Sequence, residues 1–187
     1  MVDKRNEPFN YKLHGHFDIS EIANHLNTYS EEWFLNSSRQ HMGPVHKETT
    51  SVFLYDHEAM WSIKEKFRPM VNHDQKEMHK LIQPIVDTLE SIHDGKVGKS
   101  LFIKLPAGKN VLPHTDKLDY LGAVRRHHIA ITTNDDVLFF VNHESKNMKP
   151  GECWEINNSM EHAVENNGTT DRIHLLIDIM PNRFINK

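Results

Sequence analysis

Residues 126–156 read RHHIAITTNDDVLFFVNHESKNMKPGECWEI, and this stretch decides the fold. Three short runs rich in β-branched and aromatic residues, Arg126–Thr132, Val137–Val141 and Glu152–Ile156, are separated by two clusters of turn formers, Asn134-Asp135-Asp136 and Lys149-Pro150-Gly151. Such runs read as strands joined by tight turns, because Asn, Asp and Gly tolerate the turn conformations and Pro cannot continue a ladder. The pattern continues outward. Upstream lies Ser100–Leu105 followed by Pro106-Ala107-Gly108; downstream, Asn166-Asn167-Gly168 precedes His174–Ile179. Strands recurring at this spacing, with almost no helical period, predict an antiparallel sandwich or barrel. The expected fold is mainly β with flanking helices, a β-sandwich of jelly-roll type.

The N-terminal part, residues 1–98, is mixed. Ile19, Ile22, Ala23 and Leu26 share one face of a short helix, with Asp18 or Ser20 available as its cap. A polar loop around Asn36–Pro44 leads to the apolar run Ser51–Tyr55, read as a strand. Met78, Leu81, Ile82, Ile85, Val86, Leu89 and Ile92 then mark a stripe of 3.6-residue period, predicting a helix over Gln75–Ile92 that packs on one sheet. Pro84 should bend or shorten it, and Gly95 should stop it.

Composition bounds the function. The 187 residues suit one domain, which at this size buries about 70% of its unfolded surface. With 37% hydrophobic and 26% charged residues and a net charge of -4, the chain lacks the basic footprint of a nucleic-acid binder. No apolar window is long enough to span a membrane, and Met1–Lys12 does not read as a secretory signal. The single Cys153 excludes an internal disulfide and suits a reducing compartment. A soluble, cytoplasmic protein is expected. Of the 15 histidines, His14, His16, His25, His41, His46, His57, His73, His79 and His93 lie among polar residues at no ligand spacing and read as ordinary surface or partly buried side chains.

The chemistry gathers between Leu105 and Asp178. Residues two apart on an extended strand point to one side, so His114 and Asp116 can reach one metal ion together. His162 from a distant strand would complete two imidazoles and a carboxylate on one face of an octahedral ion, leaving three positions open, as in non-haem iron(II) oxygenases. A His-x-Asp pair alone is weak evidence. Arg172, ten residues after His162, adds weight. Its guanidinium fork suits the far carboxylate of a 2-oxo dicarboxylate whose keto-acid end chelates the ion.

Leu105-Pro106-Ala107-Gly108, Pro113-His114-Thr115-Asp116, Arg126-His127-His128-Ile129, Pro150-Gly151-Glu152, Asn158-Ser159-Met160-Glu161-His162, Asp171-Arg172 and Leu175-Leu176-Ile177-Asp178 occur in that order. This stretch, Leu105–Pro181, resembles the aspartyl/asparaginyl β-hydroxylase family of 2-oxoglutarate-dependent oxygenases, which includes bacterial free-proline hydroxylases. It covers about two fifths of the chain. The resemblance implies a double-stranded β-helix of cupin-like form over residues 99–181, together with iron(II), 2-oxoglutarate and dioxygen. It assigns His114, Asp116 and His162 to the metal and to catalysis, and Arg172 to the far carboxylate of 2-oxoglutarate. Arg126 and His128 look like the family's pair at the chelating end of the co-substrate. Asp116 stands where some members carry glycine, and its carboxylate favours hydroxylation. Some members have a co-substrate-binding serine on the preceding strand, where this chain reads Leu101-Phe102-Ile103-Lys104; Ser100 is no replacement. The implied substrate is an amino acid, either free, such as proline, or an Asp- or Asn-type residue in a peptide or protein, with the free amino acid favoured.

Simpler readings stand beside these. Arg126 and His128 also fit a half-buried strand with a solvated face, Arg125 and His127 should point the other way and be exposed, and Trp154 and Cys153 read as packing residues. Asn157 and Asn158 fit either a pocket wall or a turn. Rival functions are a cupin-type isomerase or oxygenase that uses no 2-oxo acid, and a non-catalytic β-sandwich that holds a metal for structure.

Overall fold

The computed structural model describes residues 7–36, 38–41, 43–57, 66–117 and 119–185. Its elements in chain order are β1 (Tyr11–His16), α1 (Ser20–Leu26), α2 (Ser38–His41), β2 (Thr50–Asp56), β3 (Met70–Val71), α3 (Lys76–His93), β4 (Gly95–Leu105), β5 (Asn110–His114), α4 (Asp119–Ala123), β6 (Arg125–Thr132), β7 (Val137–Val141), β8 (Glu144–Lys146), β9 (Glu152–Ile156), β10 (His162–Asn166), β11 (Arg172–Pro181) and α5 (Asn182–Ile185). The strands form two antiparallel sheets, in the orders β1-β9-β6-β11-β4-β2-β3 and β5-β10-β7-β8. This is the expected jelly roll. The N-terminal part belongs to it, because β1 and β2-β3 form the two flanks of the larger sheet.

Period-two alternation divides the larger sheet into two faces. On the outer face, Ile129 and Ile131 of β6 and Leu175, Ile177 and Ile179 of β11 pack with Ile22 and Leu26 of α1 and Met78, Ile82, Ile85 and Leu89 of α3. On the inner face, Leu105 and Ala130 meet Val111, Phe139, Val141 and Val164 of the smaller sheet, closing the sandwich. β6 and β11 are buried on both faces, and their polar residues are thus confined to dry positions that need partners.

Helix α3 forms where the apolar stripe predicts it and runs unbroken through Pro84. Pro84 and Lys80, the residue whose carbonyl it cannot bond, both lie on the exposed side of the helix. The N-cap of α1 is Ile19, not the expected Asp18 or Ser20, and makes no side-chain cap; Asp18 Oδ1 accepts from the backbone N–H and hydroxyl of Ser20 at 3.0 and 2.7 Å. The left-handed residue that ends α3 is Asp94 (φ 43°), not Gly95. Gly95 is needed for another reason. A Cβ there would lie 2.5 Å from the Met180 carbonyl oxygen of the neighbouring strand. Gly95→Ala should therefore cost about 1–3 kcal/mol, measured as a lower urea midpoint at unchanged slope; an unchanged midpoint would show that β11 yields freely there.

The expectation for Arg125 and His127 needs correction. Both point away from Arg126 and His128, but Arg125 is half-buried and His127 fully buried, because α1 and α3 cover that face. Trp154 and Cys153 pack as expected: Trp154 meets Tyr11 edge-on with centroids 6.3 Å apart, and Cys153 is fully buried. Ser100 pairs with Ile177 and so shares the helix-covered face, away from the sandwich interior.

Candidate metal centre

Strands β5 and β10 pair antiparallel with His162 opposite His114, which sets two imidazoles side by side with ring centroids 4.2 Å apart. Asp116 follows just beyond β5, its backbone N–H bonded to the Asn158 carbonyl at 3.1 Å. One ligand atom from each of His114, Asp116 and His162 falls within 4.8 Å of the others. His114 Nδ1 donates to the Leu112 carbonyl (2.8 Å) and His162 Nδ1 to the Met160 carbonyl (3.0 Å). Both rings then carry a bare Nε2, the tautomer a metal ligand needs.

Asp116 is held as firmly. Its Oδ2 accepts from Arg126 Nη1 and, at 3.0 Å, from Asn158 Nδ2, and the same oxygen lies 4.0 Å from His162 Nε2. Burial alone would raise this carboxyl, but the Arg126 charge, His162 and the Asn158 hydrogen bond outweigh it and hold the group at about 2. Burial pulls His162 down to about 4 despite Asp116, so the ring is neutral at physiological pH. Arg126 is clamped on its other edge by Asp178, whose two oxygens accept from Nε and Nη2 at 2.8 Å each. Burial opposes the Arg126 charge, and Asp178 and Asp116 more than restore it.

The centre opens into a cleft lined by Ile103, Val111, Phe139 and Leu176 and by Arg39, His46, Arg126, His128 and Arg172. The six residues singled out from the sequence (His114, Asp116, Arg126, His128, His162 and Arg172) therefore meet in one place. Arg172 is 1% exposed, and its Nε and Nη2 have no hydrogen-bond partner among the described residues. Its guanidinium lies 5.8 Å from the centre of the Phe139 ring. Burial, with the charge of Arg39, pulls Arg172 down to about 9. His128 Nδ1 and both nitrogens of His174 are buried and equally without partners. Arg172-x-His174 on β11 repeats the spacing of Arg126-x-His128 on the adjacent β6, and that repetition was the available signal for His174.

Two residues of the cleft were missed. Arg39, on α2, bonds Ser51 Oγ at 3.3 Å and meets His46 Nδ1 at 3.1 Å. His46, read as ordinary, lies edge-on to His114 with ring centroids 5.1 Å apart. Burial and Arg39 push His46 down to about 2. Arg39 comes from the loop Asn36–Pro44 read only as polar, and His46 follows just beyond it. Asn158 supports Asp116 and also bonds the Leu121 carbonyl at 2.9 Å.

A jelly roll whose interior carries a His/Asp/His cluster at the mouth of a cleft defines a cupin-fold protein with a candidate mononuclear metal centre. The aspartyl/asparaginyl β-hydroxylase family model matches residues 18–181, and the chain belongs to that family. No curated protein matches the chain. Among solved structures, it is similar to an oxidoreductase of the 2OG-Fe(II) oxygenase family from Burkholderia pseudomallei, at 10% identity and a TM-score of 0.49, covering 71% of this chain and 67% of that one. A predicted oxalate decarboxylase from Thermotoga maritima aligns at 22% identity and a TM-score of 0.38, over 49% and 72% of the two chains. A cupin domain from Bordetella pertussis aligns at 18% identity and a TM-score of 0.36, over 46% and 84%. No helix among the described residues is long and apolar enough to cross a membrane.

Proposed function

We propose that this chain is an iron(II)- and 2-oxoglutarate-dependent dioxygenase that hydroxylates an amino acid, free or as a residue of a peptide or protein. The observation that carries the reading is Arg172: a buried cation whose Nε and Nη2 have no hydrogen-bond partner among the described residues, lining the cleft that also holds His114 and His162. A charge left unpaired in a dry interior is costly unless an anion completes it. The carboxylate of a dicarboxylic 2-oxo acid suits the guanidinium fork.

The donor set fits iron(II): two neutral imidazoles and one carboxylate, with the other coordination positions left to exogenous ligands. A structural ion would ordinarily be closed by four protein ligands, which disfavours the purely structural reading. With a 2-oxo acid and dioxygen, iron(II) supplies the oxidising power to hydroxylate an unactivated carbon. The protein's own part is placement. The Leu112 and Met160 carbonyls fix the tautomers of His114 and His162, while Arg126 and Asn158 orient Asp116. Arg172 would take the far carboxylate, with His128 at the chelating end. The apolar walls Ile103, Phe139 and Leu176 keep water from the reacting atoms. Arg39 is a further cation in the cleft and suits the carboxylate of a free amino acid, which favours a small substrate over a protein side chain.

The test is an anaerobic titration of the iron(II)-loaded protein with 2-oxoglutarate, followed by the visible charge-transfer band of the chelate. The wild type should give the band, and Asp116→Ala should give little or none, with iron affinity lowered at least tenfold. Succinate release should follow when candidate amino acids and oxygen are added. Stoichiometric bound iron without a band would overturn 2-oxoglutarate dependence and favour the cupin-type enzyme that uses no 2-oxo acid.

A further inference from the structure

On the opposite face of β6 from the cleft lies a second set of ligating side chains. His14 from β1, His93 from the last turn of α3, His127 from β6 and Glu155 from β9 each offer one atom, all within 4.8 Å of one another. His14 Nε2 is 2.9 Å from Glu155 Oε2, His93 Nε2 is 2.9 Å from His127 Nε2, and His93 Nε2 is 3.9 Å from Glu155 Oε2. The three rings surround a common centre, with centroids 4.8 to 5.2 Å apart.

From this geometry we propose that His14, His93, His127 and Glu155 form a second, structural metal site that takes a tetrahedral divalent transition metal, zinc(II) by preference. Bonds of about 2.0–2.1 Å place the ligand atoms of a tetrahedral zinc roughly 3.3 Å apart. The measured separations of 2.9 and 3.9 Å bracket that value, so small side-chain shifts complete the shell. Four protein ligands close the coordination, unlike the three at the cleft.

The surroundings support the assignment. His127 Nδ1 donates to the Ile177 carbonyl at 3.2 Å, so its Nε2 presents a lone pair to the centre. Arg125 Nη1 lies 3.4 Å from Glu155 Oε1, which leaves Oε2 facing the imidazoles. Burial pushes His127 down to about 3 and His93 to about 4, so both are neutral, as ligation requires. His14 is itself the extra residue of a β-bulge, between the pairs Leu13–Trp154 and Gly15–Cys153, and bulges commonly re-aim a side chain. An ion here would tie β1 and the end of α3 to the centre of the larger sheet, a role independent of the proposed oxidation.

Cobalt(II) is the probe, because tetrahedral cobalt absorbs visible light far more strongly than six-coordinate cobalt. The wild-type protein, stripped of metal and titrated with cobalt(II), should bind two equivalents, one of them tetrahedral and displaced by zinc(II). In His162→Ala the intense tetrahedral spectrum should persist at one equivalent, and added zinc(II) should raise the thermal midpoint. In His93→Gln, where the other residues of α3 are untouched, that spectrum should disappear, and in the double variant His93→Gln/His162→Ala the zinc-dependent rise should disappear as well. The proposal is overturned if the wild type shows only a weak, six-coordinate spectrum, or if the tetrahedral spectrum survives in His93→Gln. It is also overturned if that spectrum is lost in His162→Ala while the variant stays folded by circular dichroism. A wild-type titration without the tetrahedral spectrum overturns the proposal whether or not a variant folds.

Discussion

Arg172→Met should weaken 2-oxoglutarate binding by roughly two to three orders of magnitude while raising the thermal midpoint of the ligand-free protein. The two effects share one cause. Arg172 is 1% exposed, its Nε and Nη2 have no partner among the described residues, and burial together with Arg39 depresses its charge. Methionine has similar bulk and no charge to desolvate, so the empty fold gains stability. The carboxylate loses up to two charge-assisted hydrogen bonds of about 1.5–3 kcal/mol each, or about 3–4 kcal/mol for the fork. Calorimetric titration of the metal-loaded protein and a thermal melt of the metal-free one read the two effects separately. Lysine at this position should recover only part of the affinity, since a point charge cannot reproduce the planar fork. Unchanged affinity in Arg172→Met would remove the anchor role and, with it, the main support for the co-substrate.

Asp178→Asn should be the more damaging change to the fold. Asp178 is fully buried and pairs both its oxygens with Arg126. The amide offers one acceptor and turns an N–H₂ toward the guanidinium. Breaking one arm of a buried, hydrogen-bonded ion pair costs on the order of 3 kcal/mol, which a urea titration would register. Metal affinity should fall as well. Asp116, Arg126 and Asp178 together carry one net negative charge toward a dication, and the variant carries none. Cobalt(II) titration at the His114/Asp116/His162 site would measure that loss. An unaltered urea midpoint would mean that Asp116 alone satisfies Arg126.

The strands read from the sequence are those with strong local signals. Val137–Val141 and Glu152–Ile156 form with the expected bounds, because β-branched and aromatic residues alternate there between firm turns. Glycines at positive φ occupy two of those turns, Gly108 at 68° and Gly151 at 83°. The strands without an apolar run of their own have weak patterns: β5 and β10, expected only through their metal-ligand histidines, contain Pro113 and mix Glu165 and Asn166 with apolar positions, and β1, not expected, alternates Lys12 with Leu13 and Gly15 with His16. Pairing with neighbours distant in the chain, not local preference, makes them strands.

The same distinction separates the two clusters of ligands. His114 and Asp116 lie close enough in sequence for a strand argument, and flanking blocks locate His162 and Arg172. His14, His93, His127 and Glu155 come from four elements with no local spacing, and only sheet order brings them together. The sequence predicts a helix on one sheet and places His127 on the face opposite Arg126 and His128; that helix covers the face, and His127 is buried beneath it.

The flanking positions of β1 and β2-β3 have a practical consequence for anyone trimming this chain. Excision of residues 99–181 would cut away part of β4 and leave β9 and β4 as raw borders of the larger sheet, each with a row of backbone groups seeking a new partner. It would also uncover the apolar floor on which α1 and α3 rest. Such a fragment would polymerise edge to edge before it could bind a metal. The motif-bearing part of the sequence is thus no portable cassette, and grafts, fusions and minimal versions should keep the first strand.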